Sequence, residues 1–105
     1  MLLEKRRKKL RFLKFYGGGG MVTVTLEGVA DSSPETKEVM DEIFQWILSV
    51  CTPENQMIPC TLQKGFEDLL TILTSNKGAK EIIKILERHS IENITMDDEV
   101  LEFHL

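Results

Sequence analysis

Four consecutive glycines, Gly17 to Gly20, divide this 105-residue chain into two pieces of opposite charge. A pure glycine run carries less backbone preference than any other sequence, so it leaves each flanking piece to find its own structure. Residues 1–16 hold seven Lys and Arg against Glu4, a net charge of +6. Residues 21–105 hold six Lys and Arg against sixteen Asp and Glu, a net charge of −10. Such complementary pieces favour docking of one on the other. The glycine tether spans at most about 14 Å when extended, so a docked Tyr16 has to end near the first folded element of the acidic piece. The clean run between a basic peptide and Met21 has the character of a cloning junction. On that reading, 1–16 is a peptide ligand taken from a partner protein, 17–20 an artificial linker, and 21–105 an acidic peptide-binding domain.

The basic segment has no helix breaker and is rich in good helix formers. At 100° per residue Leu2, Leu3, Leu10 and Leu13 share one side, with Phe12 and Tyr16 at its margin. A helix is therefore expected, with Leu3, Leu10, Phe12 and Leu13 as apolar anchors and Arg6, Arg7 and Lys9 as the charges that orient it. Residues 11–16 also alternate well enough to add as a strand.

In the acidic piece, 21–27 alternates β-branched and polar residues and reads as a short strand. Ser33 before Pro34 is an N-cap followed by proline at the first helical position. Val39, Met40, Ile43, Phe44, Ile47, Leu48 and Cys51 follow at helical spacing, which predicts a helix over about 33–51. Leu62, Phe66, Leu69, Leu70 and Leu73 fall on one face of a second helix over about 61–74, weakened by Gly65. After a turn at Asn76–Gly78, a third helix to about Ser90 turns Ala79, Ile82, Ile83 and Leu86 inward. Residues 100–105 are strand-like and suited to pair with 22–26. The expected fold class is α+β and mainly helical: a three-helix domain with short terminal strands and a tethered helical peptide.

Catalytic motifs are missing from the sequence: it has no phosphate-binding glycine loop, no HExxH and no calcium-loop rhythm in the acidic run at 97–102. Cys51 and Cys60 are too few for a disulfide framework and read as buried thiols. With His89 and His104 they match no zinc spacing. The expectation is a protein that is not an enzyme and takes no cofactor, metal or small-molecule substrate. Trp46 lies beside Glu42 and Gln45, off the main apolar stripe of its helix. It either caps the edge of the core or lines a peptide groove as an aromatic anchor. Glu35, Glu38, Asp41 and Glu42 on the same helix are the nearest dense countercharge for Arg6, Arg7 and Lys9.

These features point to a protein–protein interaction module that captures a basic segment bearing Leu and Phe, supplied here in cis, as a monomer or a peptide-swapped dimer. The alternative is one natural protein whose basic N-terminal arm binds nucleic acid or anionic membrane and is masked by its acidic body. No apolar run reaches membrane-spanning length and no signal peptide is visible, so an intracellular setting, nucleus or cytoplasm, is expected.

Overall fold

A computed structural model of the chain describes residues 9–30, 33–50, 58–95 and 99–105, with the side chains of 64–66, 93 and 95 left aside. Its strands are β1 (Lys9–Tyr16), β2 (Met21–Glu27), β3 (Cys60–Phe66), β4 (Leu69–Ser75), β5 (Glu92–Thr95) and β6 (Val100–His104), and its helices α1 (Pro34–Val50) and α2 (Asn76–His89). All strands join one antiparallel sheet in the order β3-β4-β2-β1-β6-β5, five main strands with four-residue β5 at one edge. None of the described helices is long and apolar enough to cross a membrane.

The basic segment lies inside this sheet. β1 pairs with β2 from Arg11↔Glu27 to Tyr16↔Val22, and with β6 from Lys9↔His104 to Leu13↔Val100. Alternation decides which side chains go inward. Leu10 and Phe12 are fully buried, on the same face as Val22, Val24 and Leu26 of β2 and Phe103 of β6. Lys14 follows them inward and is only 8% exposed. Its ammonium lies 3.3 Å from Asn76 Oδ1 and 5.0 Å from the centre of the Tyr16 ring, which stabilise a charge otherwise costly to bury.

The glycine run closes the β1–β2 hairpin. Gly17 N–H donates to Met21 O at 2.9 Å, and Gly19 and Gly20 adopt φ of 72° and 77°. Two successive residues at positive φ are strained for any residue with a Cβ, so glycine suits this turn. At the opposite end Gly28 also has positive φ, and a Cβ there would meet Lys9 O at 2.5 Å. The Gly28 N–H donates to Asp68 O and the Ala30 N–H to Asp68 Oδ1, both at 3.0 Å, tying the end of β2 to the turn between β3 and β4.

Both helices cover one face of the sheet. α1 starts as its sequence signals indicate: Ser33 Oγ accepts from the Thr36 N–H at 3.3 Å, and Val39 and Ile43 are fully buried. α2 starts at the cap of Ser75, which accepts from Gly78 N–H, and turns Ala79, Ile82, Ile85 and Leu86 into the core. β2 and β3 run parallel with β4 between them, so α1 crosses the sheet in a split β-α-β connection.

The expected three-helix, mainly helical fold is overturned: the described residues form two α-helices against an antiparallel sheet. Residues 61–74 form the β3–β4 hairpin in place of a second helix. Leu69–Ser75 reads Leu-Leu-Thr-Ile-Leu-Thr-Ser, which satisfies both periods; pairing β4 on both sides places Leu70, Ile72 and Thr74 inward at period two. Gly65, a weakness in a helix, is harmless in an edge strand, and a register shift between Leu62 and Lys64 marks a bulge. The basic segment likewise is a strand over Lys9–Tyr16 rather than a helix. The C-terminal strand pairs with β1 and not with 22–26, because β1 occupies that position.

This register predicts that Phe12→Ala costs about 3–5 kcal/mol, as for a large buried aromatic. Phe15→Ala, at a side chain 56% exposed, costs less than about 1 kcal/mol. Urea unfolding in dilute solution measures both; equal losses would contradict the inward–outward assignment of β1.

Candidate functional site

α1 and α2 run antiparallel over the sheet, and between their outer sides lies an open groove of about 780 Å³. Spacings of three and four residues put Glu42, Gln45, Trp46 and Ser49 of α1 on one wall. The same spacings put Glu81, Lys84, Ile85 and Arg88 of α2 on the other. Trp46 is half-buried and packs against the core, while Ile85 is nearly fully buried. They give the groove an apolar floor under charged rims. Trp46 packs against the edge of the core and also lines this groove.

One carboxylate bridges the two helices. Glu42 Oε2 lies 2.8 Å from His89 Nε2, and Glu42 Oε1 lies 3.2 Å from Arg88 NH2. Glu81 and Lys84 pair along α2 at 3.5 Å. Glu35, Glu38 and Asp41 of α1, and Glu87 of α2, make no ion pair among the described residues. Glu35, Glu38 and Glu42 continue the stripe of Trp46 toward the start of α1. The groove therefore opens, along α1, onto a surface with net negative charge.

The other residues singled out in the sequence lie elsewhere. Leu10 and Phe12 are core residues of β1, and Leu13 is half-buried on the opposite sheet face. Lys9 and Arg11 find their countercharge on the flanking strands rather than on α1. Lys9 Nζ lies 3.7 Å from Glu102, and Arg11 lies 3.1 Å from Glu27 and 4.0 Å from Glu102. Leu3, Arg6 and Arg7, with Cys51, Asp97 and Asp98, lie outside the described residues. Cys60 is a buried free thiol. Among the described residues, no three His, Cys, Asp or Glu side chains converge on a point where a metal ion fits.

Sequence reasoning singled out the α1 wall, through Trp46 and Glu42, but missed the α2 wall. Ile85, Lys84 and Arg88 carry the helical spacing that was the available signal, but only packing reveals which of their neighbours they face. Comparisons with protein-family models, curated proteins and solved structures found no match.

Because Glu42 serves two partners on the opposite helix, Glu42→Ala is expected to lower stability by about 1 kcal/mol, the upper end for partly exposed pairs. Glu81→Ala, which breaks one pair within a single helix, changes it by less than about 0.5 kcal/mol. Chemical denaturation at fixed pH checks both values.

Proposed function

We propose that this protein is a non-catalytic interaction module whose α1–α2 groove takes a basic, apolar-anchored segment of a partner protein. The observation that carries this reading is Trp46 on the groove floor, on the same stripe of α1 as Glu35 and Glu38, which make no ion pair among the described residues. A half-buried indole offers a large apolar surface at low entropic cost, and aromatic anchors concentrate binding energy at such positions. Glu35, Glu38 and Asp41 add long-range attraction for Lys and Arg, which speeds encounter and sets orientation. The cations of the groove, Lys84 and Arg88, are already engaged by Glu81 and Glu42 and oppose a basic ligand only weakly.

The ligand chemistry resembles that of the chain's own N-terminal segment, whose residues 9–16 are occupied in the sheet. A free peptide copying residues 1–16 is therefore a suitable probe. Titrated into the intact protein, it is expected to shift the emission of Trp46, the only tryptophan, and to saturate at one equivalent. Trp46→Ala should weaken binding, followed by calorimetry, at least tenfold, about 1.4 kcal/mol. Glu35→Lys with Glu38→Lys should weaken it further at low salt. An unchanged emission, or full affinity in Trp46→Ala, would remove the groove as the binding site.

A further inference from the structure

The face of the sheet turned away from the helices has an unusual composition. Antiparallel sheets that expose one face to water usually carry polar residues there. β1 and β4 depart from that rule. β1 directs Leu10 and Phe12 toward the helices but also Leu13 and Phe15 away from them. β4 directs Leu70 and Ile72 inward but also Leu69 and Leu73 outward. Strands apolar on both sides are the pattern of strands covered on both sides.

The pairing register shows that these residues are contiguous. Phe15 lies opposite Thr23, which lies opposite Leu73; Leu13 lies opposite Thr25, which lies opposite Thr71. The result is an uncharged patch two rows deep across three strands. Val100 of β6 extends it beside Leu13. Phe15 is 56% exposed and Leu69 40%, and neither helix packs on this face.

Charge distinguishes this face from the helix layer. Next to the patch runs a row in which Arg11 stands between Glu27 and Glu102, with Lys9 also on Glu102. These charges neutralise one another within the chain. A second copy thus meets little repulsion here, although the protein carries a net −4. The acidic stripe of α1 would repel a second copy and attract a cation. Glu27 and Glu102 make the face costly to bury in lipid, and its balanced charge gives no attraction for nucleic acid.

From this geometry we infer that the open sheet face is the interface of a homodimer, in which two copies stack sheet on sheet. Strands of seven residues spaced about 4.8 Å apart give a face of roughly 24 Å by 20 Å. That footprint, roughly 480 Å² per partner, falls below the ~800 Å² of a standard interface and corresponds to a weak, concentration-dependent dimer. The two inner faces would interdigitate as in a sandwich. The same patch on both copies closes the assembly at two. This inference is independent of the groove proposed above, which would remain open on the outside of each copy.

Sedimentation equilibrium of the full chain tests it. The weight-average mass is expected to rise with concentration from 12.0 kDa toward twice that value. Phe15→Glu and Leu73→Glu should each raise the dissociation constant at least tenfold, while Leu48→Glu, at a site 66% exposed on α1, leaves it unchanged. In the unaltered protein, a mixed-label NMR sample should give intermolecular contacts from the Phe15 ring to Leu13 or Leu73 methyls. A monomer at every concentration would overturn the inference. So would a dimer that survives both sheet-face substitutions while retaining the fold by circular dichroism, as a β1-swapped dimer would. A dimer lost in Leu48→Glu alone would also overturn it, placing the interface on the helices.

Discussion

Among the described residues, strand β1 is the hydrogen-bonded link between the two halves of the sheet. On one side β2 continues to β4 and β3; on the other β6 continues to β5. Without β1, Leu10 and Phe12 leave the core, and facing edges of β2 and β6 lose their partners. A strand carrying three basic residues, Lys9, Arg11 and Lys14, would seem ill-suited to this role. It fits because the adjacent strands bring Glu27 and Glu102 alongside Arg11, and because Lys14 reaches Asn76 and Tyr16 at the rim of the sheet. The opposite charges of the two pieces are met, within the described residues, by cross-strand pairing.

That central strand separates two surfaces with different electrostatics. On the helix side, Glu42 holds α1 to α2, while Glu35, Glu38 and Asp41, nearer the start of α1, make no ion pair among the described residues. On the other side, acid and base alternate across three strands and cancel, leaving Leu13, Phe15 and Leu73 beside threonines. An acidic surface with one aromatic anchor suits a basic foreign ligand. A neutral apolar surface suits a copy of itself. The same fold can therefore present both without either competing with the other.

Several elements were legible in the sequence because local signals agreed with the final packing. Ser33-Pro34 opened α1, Val-Thr-Val-Thr marked β2, and the apolar spacing from Ala79 to Leu86 marked α2. Two segments were misread because their apolar residues fit more than one period. In 61–74 the choice of strand over helix depends on β2 being available to pair with β4, a contact over more than 40 residues of sequence. In 9–16 the helical stripe competed with a period-two pattern whose inward positions end in a lysine, and a charge there argues against burial unless Asn76 is in view. The site shows the same limit. Trp46 and Glu42 stood out on one helix, but Arg88 and His89 became their companions only when α2 was laid beside it. Glu27 and Glu102 gave no local sign that they would flank Arg11.

The pairing of β1 with β6 also has a consequence for synthesis. During translation the β1–β2 hairpin can close once residues 21–27 have emerged, but the second edge of β1 waits for residues 100–104. Until then the nascent chain displays one unpaired edge of a strand bearing Leu10 and Phe12, with a cluster of cations along it. Like charges discourage two such edges from zipping together on neighbouring ribosomes. The basic residues of this strand thereby act as gatekeepers while the sheet is incomplete, and become ion-pair partners once Glu102 arrives.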